Sequence, residues 1–289
     1  MHITAYSKAL LSNWFYIEPL RLLLDAGEGI GPFLESRALG IQDVFLSHAH
    51  VDHFTGLRLL LLMRRRGIFR NESPLPPLRI YFPATSGVFQ RYFAYLAGEF
   101  FDWDEMVELR PMMPEDRVAL RTGRDLEAVA MEVQHVPYDL CLGYRIVQKR
   151  WKLRPAFQTL DGKAIRTLIE TQGREAISDL LEVPVLVFSG DGKPLQDEAS
   201  RGAMLLIHEA TFLDPDTSDV HSTLSEAIAA FERLEAERLL LYHFSVRYTS
   251  AQITAALERL VPDATRRSMI HLVLPGHLFD QTLPIKMFG

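Results

Sequence analysis

Short apolar runs alternate along this chain with longer amphipathic stretches, and the two kinds predict different elements. Residues 20–24 read as a buried strand ending in the polar, glycine-rich turn Asp25-Ala26-Gly27-Glu28-Gly29. A second strand, 41–47, runs straight into His48-Ala49-His50-Val51-Asp52-His53. Residues 55–68 then predict a helix, with Thr55 as its N-cap and arginines in its last turns. A strand at 78–82 and an aromatic-rich helix at 86–101 follow. Residues 126–136 and 141–147 read as a strand pair, and 148–183 is less regular, with a helical pattern over 164–181. Strand 185–188 delivers Ser189-Gly190-Asp191-Gly192. The final third alternates cleanly: strand 203–208, helix 222–235, strand 238–243, helix 251–260 and strand 269–274. Strands with few helices early, then regular alternation, point to two sheets covered by helices rather than one doubly wound sheet. With no long repeat or low-complexity linker, 1–289 is expected to form a single domain.

Composition narrows the class without naming a function. A chain of 289 residues can bury a large core, and 48% hydrophobic with 24% charged residues is ordinary for a soluble globular protein. A net charge of −6 disfavours binding nucleic acid with the whole surface, but leaves room for a local basic groove. The lone Cys141 excludes an intrachain disulfide and fits a reducing compartment. No secretory leader is read at the N-terminus. The apolar run 57–63 is broken by Arg58 and stops at Arg64-Arg65-Arg66, too short for a bilayer. A cytoplasmic protein with no membrane contact is expected.

The chemistry is concentrated at predicted strand ends. In extended chain, residues two apart face the same side, so His48 and His50 can converge on one metal. Once the chain turns, Asp52 and His53 can face a neighbouring position. Three histidines and an aspartate within six residues are hard to read as solvated surface. His135, Asp191 and His243 each follow an apolar run, and carboxyl ends of strands are where sites in α/β layers gather. Mixed imidazole and carboxylate donors suit Zn²⁺, with Mn²⁺ and Fe²⁺ as alternatives.

His48-Ala49-His50-Val51-Asp52-His53 matches the His-x-His-x-Asp-His motif of the metallo-β-lactamase superfamily. Asp25 in its Gly-rich turn resembles the first motif of that family, and His135, Asp191 and His243 fall where the third, fourth and fifth belong. Within the superfamily the chain is similar to RNase Z, the endonuclease that matures tRNA 3′ ends. The segments that carry this are Gly143-Tyr144-Arg145-Ile146, His208-Glu209-Ala210-Thr211-Phe212, His221-Ser222-Thr223 and His243-Phe244-Ser245-Val246-Arg247-Tyr248. The likeness runs from about residue 12 to 248.

The resemblance implies an αββα four-layer sandwich of two mixed sheets flanked by helices. It also implies two divalent metal ions: one on His48, His50 and His135, the other on Asp52, His53 and His243, with Asp191 bridging. Two +2 ions roughly 3.5 Å apart repel by about 19 kcal/mol at an effective dielectric near 20, so an anionic bridge is physically sensible. A metal-bridging hydroxide would attack the phosphodiester, with Asp52 orienting it or taking its proton. Glu209 and His221 would form a proton relay to the leaving oxygen. Arg247 would either touch a substrate phosphate or make a salt bridge, and Asp25 would support the ligands rather than join them. His208 has no evident role.

The substrate implied is RNA, including a tRNA 3′ trailer, or a smaller phosphodiester. The alternative keeps the fold and changes the bond to a lactone, sulfate ester or thioester. Members of the family that process tRNA usually carry a long basic Gly/Pro-rich arm between the third and fourth motifs. Here 135–191 is short, and Trp151-Lys152-Leu153-Arg154-Pro155 with the helical 164–181 reads as core structure. Phosphate contacts would then fall to Arg64, Arg65, Arg66 and Arg70, or to Lys149, Arg150, Lys152 and Arg154, unless these are simply solvated. Homodimers are common in the family, and helix 86–101 offers apolar surface for one, although such a stripe also suits core packing.

Overall fold

Strands that are apolar at every position must be covered on both faces, and that requirement sets the layers of this protein. The computed structural model describes residues 1–68, 75–123 and 125–285. Its first half contains β1 (His2–Lys8), β2 (Ser12–Ile17), β3 (Leu22–Leu24), α1 (Ile30–Leu34), β4 (Asp43–Phe45), α2 (Leu57–Ile68), β5 (Leu78–Pro83), α3 (Gly87–Glu99), α4 (Trp103–Met106) and β6 (Val107–Met112). The second half contains β7 (Arg117–Ala119), β8 (Leu126–Glu132), β9 (Leu142–Leu153), α5 (Gly162–Gln172), β10 (Ser178–Phe188), β11 (Leu205–Glu209), α6 (Leu224–Arg233), β12 (Leu239–Tyr242), α7 (Ser250–Leu260), α8 (Ala264–Arg267) and β13 (Ile270–Leu272). A last strand, β14 (Phe279–Thr282), crosses back to pair with β1.

Two seven-stranded mixed sheets result, ordered β14-β1-β2-β3-β4-β5-β6 and β13-β12-β11-β10-β9-β8-β7. Each begins as an antiparallel meander and continues as parallel strands joined through helices. The period of two along each strand divides its side chains between separate cores. Leu22, Leu24 and Phe45 join Phe188, Leu205 and Ile207 between the sheets. Leu23, Val44 and Leu46 face the other way, against α2 and α3. Leu206, Leu239 and Leu241 pack under α6 and α7. Three cores between four layers make the αββα sandwich.

The helices follow from their apolar spacing. Leu57, Leu60 and Leu61 of α2 and Phe89, Phe93 and Leu96 of α3 are buried on one sheet. Leu224, Ala227, Ile228 and Phe231 of α6 are buried on the other. Capping boxes, Thr223 with Glu226 and Thr249 with Gln252, start α6 and α7. The inner aromatic face of α3 is thus spent on the core, leaving Val88, Tyr95 and the following Phe101 exposed. Among the described residues no helix is long and apolar enough to cross a membrane.

Several local expectations are corrected. The β1–β2 hairpin was not anticipated, because its buried positions include Thr4, Ser7, Ser12 and Asn13, which mask the apolar period. Thr55 does not cap α2; its hydroxyl donates back to the Val51 carbonyl. The helix expected over 164–181 stops at Gln172, and residues 178–183 are strand. Asp161 caps the start of α5 and Gly173, at φ 85°, ends it. Beyond that, Ser178 to Val183 pair in register with Leu153 to Gln148, and a cross-strand ladder overrides helix propensity.

That pairing also corrects the reading of 148–183 as core. β8 accompanies β9 only to Gln148. The remainder of β9 and the start of β10 project as a two-stranded ribbon tipped by α5, which buries none of its residues. Arg64 is corrected as well. It is buried and donates to the carbonyls of Leu39, Ile41 and Pro76, so it holds the fold and offers nothing to a phosphate. Arg65 pairs with Asp102 and stacks over Phe101. Arg70 lies outside the described residues.

Candidate metal centre

Six strand ends and one turn meet along a single edge of the sandwich. Asp25 follows β3, the 47–53 segment follows β4, and His135, Asp191 and His243 follow β8, β10 and β12. Glu209 is the last residue of β11, and the β1–β2 turn closes the rim. The approach of these loops is steric as well as topological. A Cβ on Gly56 would lie 2.0 Å from the Gly27 carbonyl oxygen, and one on Gly27 would lie 2.3 Å from that of Asp52. Only glycine lets the two turns touch beneath the histidines. Asp25 and His243 sit at φ 52° and 61°, left-handed conformations held in place by surrounding bonds.

The structure brings the seven expected ligand residues together. One atom each from His48, His50 and His135 lies within a 4.8 Å group, and so does one each from Asp52, His53 and His243. Asp191 stands between the groups, its Oδ2 3.2 Å from His53 Nε2 and 2.9 Å from His243 Nε2. Apart from those two imidazole nitrogens, the buried Asp191 oxygens have no hydrogen-bond partner among the described residues. A buried carboxylate left so among imidazoles fits a divalent cation.

Outer hydrogen bonds decide which imidazole nitrogen faces inward. Asp25 Oδ2 accepts from His53 Nδ1 at 2.6 Å and from the Ser47 hydroxyl at 2.9 Å. With its proton committed to Asp25, Ser47 accepts from His48 Nδ1 at 2.9 Å. His135 Nδ1 donates to the Val220 carbonyl at 2.9 Å. The Nε2 atoms of His48, His53 and His135 are therefore the inward ones, and Asp25 orients two of these rings at once. Asp52 Oδ2 accepts from the Leu10 N–H at 3.1 Å and from Asn13 Nδ2 at 2.9 Å, while Ser7 donates to Asn13 Oδ1 at 2.6 Å. Ser7, Asn13 and Ser47 were not anticipated. Their only signal is polarity at buried positions of a hairpin and of a strand end.

Electrostatics separate the two groups. Burial and neighbouring imidazoles hold His48 well below the usual histidine range and lower His50. Burial lowers His135 too, despite Asp191. These rings are neutral, the form that binds a cation. Burial also opposes charge on His53 and His243, but Asp191 outweighs it: His53 is raised well above its ordinary value and His243 to about 10. Asp191 is held well below the carboxylate range by His243 and His53 against the effect of burial. A proton on each of those Nε2 atoms occupies the place a cation would take.

Beside the cluster, His221 Nδ1 donates to Glu209 Oε1 at 2.8 Å, which turns its Nε2 toward Asp191 and His243. Glu209 is fully buried yet charged. Its carboxylate accepts from the N–H groups of Gly192, Thr211 and Ser222 and from the Thr211 hydroxyl as well as from His221, and its pKa is lowered despite burial. Glu209 ends β11, and His221 sits in the loop before α6. His208 is structural: buried, it accepts from the Leu195 N–H at 3.2 Å. Arg247 is largely exposed, stacks on Phe212 with its carbon 5.2 Å from the ring centre, and lies 3.5 Å from Asp216, which also takes the Tyr248 hydroxyl. A cleft of about 1020 Å³ adjoins the centre, with His135, Cys141, Lys193 and Val220 among its walls.

Comparisons with known proteins agree with this arrangement. The model of the beta-lactamase superfamily domain matches residues 20–244. Zinc phosphodiesterase ELAC protein 2 of Homo sapiens is 30% identical over 80% of this chain, which spans only 27% of that longer relative. tRNase Z TRZ1 of Arabidopsis thaliana is 28% identical, covering 84% of this chain and 85% of that protein. Among solved structures, the short form of human tRNase Z superposes with a TM-score of 0.64 at 19% identity, covering 99% of this chain and 100% of that one. The metallo-beta-lactamase fold protein YhfI of Bacillus subtilis gives 0.65 at 16% identity, covering 97% and 100%. A family match across most of the chain, joined to these relatives, places the protein in the metallo-β-lactamase superfamily, in its RNase Z-like branch of metal-dependent hydrolases.

Proposed function

We propose that this chain is a dinuclear zinc phosphodiesterase that hydrolyses RNA, the tRNA 3′ trailer being the substrate to test first. The observation that carries the reading is the His221–Glu209 pair set beside the ligand cluster. Two cations held by His48, His50, His135, Asp52, His53, His243 and Asp191 would supply an acidified water and charge neutralisation at the phosphate. The chain's own residues supply the rest. Glu209 holds His221 through Nδ1–H, so its Nε2 faces the metal cluster. A proton taken up on Nε2 can pass to a departing alkoxide and leave the ring neutral, with Nδ1–H still bonded to Glu209. Asp52, anchored by Asn13 and the Leu10 N–H, is placed to orient the attacking water. Arg247, spread on Phe212, offers a guanidinium at the rim for a phosphate.

RNA is favoured over a small diester by the ribbon. The twelve residues of β9 lead from the metal edge to its base and out along it, about 36 Å at roughly 3.3 Å per residue. Lys152 of β9 and Lys163 and Arg166 of α5 make no ion pair among the described residues, whereas Lys149 and Arg154 are paired with Glu127 and Asp179. A ligand that meets both ends must be of macromolecular length. The names of the relatives, tRNase Z and zinc phosphodiesterase, support the same substrate class.

The test offers zinc- or manganese-loaded protein an unprocessed tRNA and bis(p-nitrophenyl) phosphate side by side. Cleavage of both, with the tRNA favoured, is expected. Protein holding two ions that cleaves neither would refute the phosphodiesterase reading, and cleavage of the small diester alone would refute the RNA assignment.

A further inference from the structure

Thr211 connects the two functional parts of the site. It is buried, and its one hydroxyl lies 2.6 Å from Glu209 Oε2 and 2.8 Å from His243 Nδ1. A hydroxyl has one proton to give. Glu209 is ionised and can only accept, so the Thr211 proton is committed to it, and toward His243 the hydroxyl oxygen can only accept. His243 must then carry its proton on Nδ1, leaving Nε2 facing Asp191 and Asp52. The backbone of His243 is held separately, its N–H donating to Ser7 Oγ at 2.8 Å, so Thr211 is what fixes Nδ1 of the ring.

We propose that Thr211 is a positioning residue which sets the ligand tautomer of His243 and ties it to the Glu209–His221 pair. The proposal rests on the two-metal reading above. His221, Glu209, Thr211 and His243 form one hydrogen-bonded chain that ends at the cation position. Occupation of that position and the orientation of His221 are thereby linked, and each favours the other. The bond is local: His48 is oriented by Ser47, itself held by Asp25, and His135 by the Val220 carbonyl, none of which touches Thr211.

The test compares wild type, Thr211→Val and Thr211→Ser. Zinc is titrated in competition with a chromophoric chelator, the two positions are followed separately by cobalt(II) absorption, and kcat and KM are measured on bis(p-nitrophenyl) phosphate. Valine keeps the shape and removes the hydroxyl. It should leave one ion bound as in wild type, weaken the other about 10- to 100-fold and alter the cobalt spectrum of one equivalent only. With zinc in excess, kcat should fall about 10- to 100-fold with little change in KM, and serine should restore both readouts. If Thr211→Val does not fold, Thr211→Ala is read the same way. Wild-type affinity for both ions in the valine or alanine variant, or equal weakening of both, would overturn the proposal. Wild type that binds two ions but cleaves no diester overturns the phosphodiesterase reading alone, because the zinc and cobalt titrations still decide the role of Thr211.

Discussion

The metal edge and the ribbon of β9 and β10 stand at opposite ends of the same strands, and they are built in opposite ways. At the metal edge, His48, His53, Asp191 and Glu209 are almost wholly buried, and the outer atoms of the imidazoles are fixed by hydrogen bonds to the fold. Such a site costs stability unless every partner is present, and it tolerates little change. The ribbon is held by a backbone ladder and by exposed pairs such as Arg154–Asp179, worth about 0–1 kcal/mol each. Trp151, Leu180 and Leu181 remain substantially exposed on it. One end is specified atom by atom. The other is specified only as a shape that carries charge.

The largest effect should come from breaking the buried end. Asp191→Ala removes the carboxylate shared by both groups. Activity should fall to background and metal content to at most one ion per chain, measured by elemental analysis. Near-normal turnover with two ions bound would show that Asp191 is not central. His221→Ala should retain both ions and lose about 10²–10⁴-fold in kcat. An equal loss of metal would make His221 a ligand instead of a proton donor.

The ribbon should behave oppositely. Gln148 and Val183 are cross-strand partners, so replacing 149–182 by an Asn-Gly turn closes the hairpin with its register kept. Folding and turnover of bis(p-nitrophenyl) phosphate should survive, while KM for an RNA substrate rises at least about tenfold, because cations that would meet its phosphates are gone. Loss of both activities would mean that the ribbon is structural. A milder variant, Lys152, Lys163 and Arg166 each changed to Glu, should flatten the salt dependence of RNA binding by roughly 0.7–0.9 in slope for each phosphate no longer neutralised.

The smallest effect concerns protons in the chelator-treated protein. Burial disfavours the charged His243, but Asp191 raises it to about 10 from 6.5. A folded pKa above the unfolded one contributes stability that is complete below about pH 6.5 and is lost as pH rises through about 10. The melting temperature of metal-free protein should fall across that window, and that of zinc-loaded protein should change less. Parallel profiles would exclude His243 as the group responsible.

Legibility followed the same division. The order of apolar runs predicted two helix-covered sheets, since strands buried on both faces cannot alternate and so stand out from the helices. The histidine cluster was legible because three imidazoles and a carboxylate within six residues have few other uses. His135, Asp191 and His243 were legible as strand-end residues. The β1–β2 hairpin was not, because its inward face carries Ser7 and Asn13 where an apolar period would be sought. The ribbon was hidden because 164–181 is helical by local propensity, and only pairing with 148–153 makes its second part a strand.

By itself, then, the sequence determined which residues can hold a metal and that they lie at strand ends, because residue type and period two are local properties of the chain. Tertiary structure alone decided which nitrogen of the imidazoles faces inward, that Thr211 links Glu209 to His243, and that the basic residues after His135 stand on a projecting ribbon. Those outcomes depend on partners far apart in the chain: Asp25 with His53, Glu209 with His221, Leu153 with Ser178. Contacts of that kind exist only once the two sheets have packed.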